Sequence, residues 1–471
     1  MKTIGLLLAL LLLALGAYLL IFANFIKFAF GWQDLIFYSI ITGIVYIIVR
    51  LIGGSINKKF NGFVAEFING KRNELLIKRG LLRVYGFLII LMLPFLVYLL
   101  LLALFVAISF AIYGFLLISQ SPRVPVAIII ALAVVPLGTL VAVITGIYRL
   151  FFPPSPIPNG LIIQPGEDSK LWSLVNDISL HLQTPSISSI VISPNSGIGV
   201  YSAGNLFSSV FGKGQRTLEI GLPSLYGLTV DEFKAILAHE YGHFTNKDTQ
   251  WGSFTHVLSV SLMSTYKSVP GPHQFQDNGK NNNSAYAVIV SLNPAYWILR
   301  LFINLFFRVT NGFSRIQEVM ADTRAMILYG GKSFSSGLLK VSTNDLIFND
   351  VILKKQIPDL LSQNKVINNF STMMKIIYGT LSEKDLKVTH DELTKDRSFG
   401  SIFDSHPPLQ IRLDYSQRFN NNAQTGIMSV SSLFDDWEDI NRKITDLYNQ
   451  RLISYLTAMA KQQPKETAQT S

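Results

Sequence analysis

The 471-residue sequence has no cysteine. That absence excludes disulfide staples and thiolate ligands, so a bound metal would have to be held by histidine, aspartate or glutamate. Charge is scarce too: Asp, Glu, Lys and Arg make up 15% of the chain, against an apolar share of 49%. Soluble domains usually carry ~25% charged residues, and a mean hydropathy of +0.36 points instead to bilayer segments. The formal net charge is +10, but the basic residues form no stripe interleaved with aromatics. Nucleic acid is therefore not an expected partner, and the excess reads as membrane topology.

Long apolar runs fill the first third. Ile4 to Ile26 carries no charge and is long enough to cross a bilayer. Its core is too long for a cleaved signal peptide and no small-x-small site follows, so a retained anchor is expected. A second span begins at Leu35. A basic loop is expected next, with Arg50, Lys58, Lys59, Lys71, Arg72, Lys78, Arg79 and Arg83 outnumbering Glu66 and Glu74. The positive-inside rule puts that loop in the cytoplasm. Val84–Ser119 reads as one long span despite Pro94, and Val126–Tyr148 as another, which makes four and returns the chain to the cytoplasm. The proline-rich stretch "RLFFPPSPIPNG" ends the membrane region near residue 152.

Downstream, 170–183 has helical spacing, while 188–194 and 215–221 read as short strands joined by a glycine-rich connection. The strand just before the next helix is a candidate edge for pairing with an extended peptide. That helix follows in "GLTVDEFKAILAHEYGHF", where Thr229 and Glu232 form a capping box. Phe233, Ile236, Leu237 and Phe244 give it an apolar stripe. His239 and His243, four apart, share one face, with Glu240 rotated by about 100° from His239. Two neutral imidazoles and a third ligand leave zinc one open position for water, which Glu240 can deprotonate for attack on a peptide carbonyl.

A catalytic zinc needs that third ligand. "FSRIQEVMADTRAMILYGG" offers Glu318 and Asp322 on one face of an apolar helix. Together with "SHPPLQIRL", these segments resemble the membrane-associated M48 zinc metallopeptidases, which include HtpX-type quality-control proteases and CAAX prenyl proteases. After the multi-pass α-helical membrane region (1–152) read from the apolar runs, the resemblance implies a mainly helical zincin-like (gluzincin) metallopeptidase domain with a small β-sheet (153–418). A C-terminal helical segment and disordered tail (419–471) complete the expected chain. It further implies one Zn²⁺ held by His239, His243 and Glu318, with Glu240 as catalytic base. Asp322 is expected to orient a ligating histidine, and His406 to stand in the catalytic pocket. Pro407 and Pro408 hold His406 extended at a helix entrance, and Arg412 is a candidate partner for an active-site carboxylate. Asn195 and Gly197 only loosely match the family's segment before its edge strand.

Residues 285–309 resemble a further span, but they lie between two ligands of one ion, so crossings between His243 and Glu318 must be even in number. Asn293, Pro294, Arg300, Asn304 and Arg308 favour a surface helix with no crossing; the alternative pairs this stretch with 251–266 in a hairpin. His181, His256, His273 and His390 are assigned no role. The expected partners are a protein or peptide substrate, the lipid bilayer and a second copy of the chain. The resemblance implies a bacterial inner-membrane protein whose catalytic domain faces the cytoplasm. Prenyl-protein processing and a silent membrane scaffold are the rival readings.

Overall fold

The computed structural model of the chain describes residues 32–71, 79–120, 125–152, 159–203, 215–244, 249–272, 291–396, 404–419 and 426–462. The first expected span, the proline-rich exit, His273 and the tail beyond 462 lie outside these residues, as does the side chain of His256. Three described helices are long and apolar enough to cross a membrane: α1 (Trp32–Ile68), α2 (Arg79–Ser119) and α3 (Val126–Phe151).

At 37 residues, α1 is roughly 55 Å long and overshoots a ~30 Å hydrocarbon core. Arg50, Lys58 and Lys59, expected in a loop, are helical. The reason is packing: Ile56, Phe60, Val64 and Ile68 are buried at helical spacing, so the apolar stripe continues past the basic residues. The 41 residues of α2 run unbroken through Pro94, as one segment. Its first half joins the same core, where Tyr85 packs against Phe60 and Phe313 with ring centroids 5.7 and 4.7 Å away.

The mostly helical region that follows holds one four-stranded sheet. Strand β1 (Leu161–Ile163) precedes α4 (Ser169–His181), β2 (Ser189–Ser193), β3 (Ile198–Ala203) and β4 (Gln215–Gly221). The order is β1-β2-β4-β3, with β2 and β4 parallel and the other pairs antiparallel. Strand β4 is thus interior, and the edge beside the next helix is β3, in the stretch expected to be only a connection. The ladder from Ile198↔Ile220 to Ala203↔Gln215 outweighs the poor strand propensity of its glycine.

Helix α5 (Val230–Gly242) starts at the expected capping box: Thr229 Oγ1 accepts from the Glu232 amide, and Glu232 Oε2 from the Thr229 amide. Helix α6 (Thr249–Ser268) runs out from the end of α5, and α7 (Pro294–Tyr329) runs back. Neither is among the candidate membrane spans of the described residues, in keeping with the expectation of no crossing. Both pack against α2 and α3, because their polar groups find partners inside. The Tyr266 and Tyr296 hydroxyls lie 2.7 Å apart, Thr139 donates to Asn293 Oδ1 at 3.2 Å, and Arg149 donates to the Ser264 carbonyl at 3.3 Å. The pair returns α7 to the end of the bundle where α5 lies, meeting the requirement that His243 and Glu318 share a side.

After α7 come α8 (Gly331–Leu346), a π-helical segment (Ile347–Gln356) and α9 (Ile357–Ser362). Four more helices follow: α10 (Phe370–Thr380), α11 (Glu383–Leu393), α12 (Leu409–Ser416) and α13 (Trp437–Gln462). The contact that positions the site is between α5 and α7. A Cβ on Gly242 would lie 2.9 Å from the Ala321 Cα, so only glycine lets the two backbones come this close. Gly242→Ala, although it raises helix propensity, is expected to destabilise the solubilised protein by about 1–3 kcal/mol, read as a lowered thermal unfolding midpoint.

Candidate metal centre

The meeting of α5 and α7 brings four functional side chains to one point. His239 Nε2 lies 3.5 Å from Glu318 Oε2, and His243 Nε2 lies 3.4 Å from Glu318 Oε1. One ligand atom from each of His239, His243 and Glu318 falls within 4.8 Å of the others. Bonds of about 2 Å in tetrahedral array set ligand atoms about 3.3 Å apart, so the spacing fits three donors converging on one cation. Glu318 is buried with the imidazoles of His239, His243 and His406 around its two oxygens. That is the environment a metal would complete.

Around this group stands a second layer of charge. Asp322 Oδ1 is 2.8 Å from His239 Nδ1, which leaves Nε2 to face Glu318. Arg412, buried on α12, donates to both oxygens of Asp322, Nε to Oδ2 at 2.8 Å and Nη2 to Oδ1 at 2.6 Å. This bidentate geometry fixes the carboxylate plane. Phe334 packs beside both, 6.1 Å from the His239 ring and 5.8 Å from the Arg412 guanidinium. Arg324 donates to the Gly242 carbonyl at 2.7 Å and so secures the C-terminus of α5 next to His243.

His406 is more exposed (59%), yet its Nδ1 lies 2.8 Å from Glu318 Oε2. Glu240 Oε1 is 4.0 Å from His239 Nε2. Its other oxygen faces β3, where a Cβ on Gly199 would stand 4.0 Å away. His181 and His390 lie elsewhere on the surface helices. Phe244 falls past the end of α5, beneath the Arg216 guanidinium at 4.4 Å.

Burial and charge set the protonation states. Burial lifts the Glu240 carboxyl to about 7, against the lowering pull of His239. Burial likewise pushes the His243 imidazole down to about 4, keeping it neutral and free to ligate. For His239 burial also opposes the charged form, but the Asp322 contact and the Glu318 charge outweigh it and raise the pKa. Glu318 stays ionised for the converse reason: burial disfavours the anion, and His243, His406 and His239 more than compensate.

The model of peptidase family M48 matches residues 210–417, a stretch holding every residue of the cluster. Over that stretch the chain is similar to peptidase family M48. The donor set of His239, His243 and Glu318 is suited to a metal ion. A protein named protease HtpX from Buchnera aphidicola is 28% identical over 198 residues, covering 39% of this chain and 62% of that protein. Protease HtpX homolog 2 from Sulfurisphaera tokodaii is 25% identical over 230 residues, covering 45% and 63%. Protease HtpX homolog from Helicobacter pylori is 28% identical over 151 residues, covering 31% and 45%. The matches thus span less than two thirds of these curated relatives' own length. No solved structure matches.

The sequence pointed to Arg412 as a partner for an active-site carboxylate, and that carboxylate is Asp322; Arg324 and Phe334 were not anticipated. Asp322→Asn keeps the shape but weakens the charge that sustains His239, and is expected to lower metal affinity about 10–100-fold. Competition with a chelator at fixed pH measures this.

Proposed function

We propose that the protein is a membrane-anchored zinc endopeptidase, with His239, His243 and Glu318 as metal ligands and Glu240 as general base. One observation carries the reading: three donors of the zinc-binding type converge, one atom from each within 4.8 Å of the others, with an unligating carboxylate beside them. Two imidazoles and a carboxylate, with no thiolate, favour zinc as the ion. When bound, the ion would polarise the scissile carbonyl and acidify a water.

The chain's own residues account for the rest. Glu240, held near neutrality by burial, is suited to take a proton from that water and return it to the leaving amine. His406 stands at the open side of the site, where an imidazole N–H can donate to an oxyanion. Asp322 and Arg412 keep His239 oriented. The outer edge of β3 pairs with no strand among the described residues. With Gly199 facing Glu240, an extended substrate added there would bring its backbone past the base.

Lys58 and Lys59 lie toward the site end of α1, since Asn61 beside them accepts from Arg315, one turn before Glu318 on α7. By the positive-inside rule this supports a cytoplasmic site at the inner membrane. Membrane-protein segments exposed on that side are the substrates we infer, in a quality-control role. Full-length protein should cleave an unfolded reporter such as casein, and metal removal should abolish the activity. Glu240→Gln should retain one metal per chain while losing cleavage at least ~100-fold; undiminished cleavage by this variant would exclude the mechanism.

A further inference from the structure

The seam between α1 and α7 holds a buried polar network with no part in the chemistry above. Gly53 and Gly54 of α1 meet Val309 and Arg308 of α7, and Gly312 of α7 meets Asn57. The backbones are close enough for short polar side chains to bridge them. Arg315, 1% exposed, stands on α7 one turn before Glu318. Its planar guanidinium offers a rigid fork of donors. Nε donates to Asn61 Oδ1 at 2.8 Å and Nη2 donates to Asn57 Oδ1 at 2.7 Å. Asn57, also 1% exposed, spends its own amide on the Arg308 carbonyl at 2.9 Å, which fixes which of its ends faces Arg315.

The third arm leaves this seam. Arg315 Nη1 donates to the main-chain carbonyl of Asp404, two residues before His406. His406 in turn comes within 2.8 Å of Glu318. The segment carrying His406 is thus held by one side chain of α7, whose other two arms are committed to α1. Neither asparagine touches the metal cluster, yet together they fix the plane of the fork and so the direction of the arm that reaches Asp404.

We propose that Arg315 is a positioning residue: it sets the Asp404–His406 strap over Glu318, with its orientation taken from Asn57 and Asn61 of α1. A candidate membrane helix is thereby part of the catalytic unit, and its tie to α7 governs where His406 stands. The catalytic half of this inference rests on the peptidase reading. The structural half does not.

The test uses full-length protein in lipid nanodiscs and compares Asn61→Leu, which removes the acceptor at similar size, with Asn61→Asp, which keeps it. In Asn61→Leu, amide hydrogen exchange across 404–412 should rise on the order of tenfold, while 230–242 stays protected and metal content is unchanged. Its kcat/KM for a casein-derived peptide should fall on the order of 100-fold, carried by kcat, as expected for a misplaced group. Asn61→Asp should keep both properties within a few-fold. Arg315→Lys keeps the charge but loses the fork, should behave like Asn61→Leu, and decides the matter if that variant does not fold. Wild-type exchange across 404–412 in a folded Asn61→Leu or Arg315→Lys protein would overturn the proposal. If wild type cleaves nothing, the peptidase reading fails, while the exchange result still judges the strap.

Discussion

A carboxylate removed from water must be met by positive charge or by donors, because an isolated buried anion costs far more than a folded protein can spare. Glu318, 6% exposed, is in that position. Two imidazoles approach it from α5, a third from the strap before α12, and Arg412 Nη2 stands 3.9 Å away. Each of these groups is held by something else: His239 by Asp322, Asp322 by Arg412, and the end of α5 by Arg324. Gly242 lets the two helices close on each other. The surrounding fold satisfies the electrostatic demand of one side chain, and a divalent cation at the same point would satisfy it further.

The helix that carries Glu318 also ties the site to the bilayer region. Over 36 residues α7 runs from Asn293, against α3, to the metal cluster without a break. Alongside it, α1 and α2 extend past the thickness of a hydrocarbon core; α1 ends and α2 begins inside the packed region, where Phe60, Tyr85 and Phe313 pack together. Continuous helices transmit position well, since their backbone hydrogen bonds resist local bending. The membrane helices thereby become walls of the site's own core.

Local patterns in the sequence were the most legible. The capping box and the four-residue histidine spacing lie within one helix, so their geometry follows from the helical repeat alone. Glu318 and Asp322 needed the M48 resemblance, because a carboxylate pair on a helix is ambiguous without knowing what it faces. Of the partners that complete the site, Arg412 was legible only as a candidate for some active-site carboxylate, and Arg315, Arg324 and Phe334 were not legible at all. Arg412 bonds to Asp322 across 90 residues and Arg315 to Asn61 across 254, separations that leave no periodic trace. Asn57 and Asn61, four apart beside Phe60 and Val64, were the one available sign that the buried stripe of α1 carries polar groups. One segment was misread: glycine concealed β3, until its ladder with β4 supplied the missing partners.

The central claim is that two imidazoles and the Glu318 carboxylate hold one metal ion at the meeting of α5 and α7. X-ray absorption at the metal edge of zinc-loaded full-length protein tests it directly. The account predicts a four-coordinate shell with two imidazole nitrogens and oxygen for the rest, all at ~2.0–2.2 Å, reduced to a single imidazole in His243→Ala. A shell with fewer than two imidazoles in the wild type, or one unchanged by His243→Ala, would contradict it.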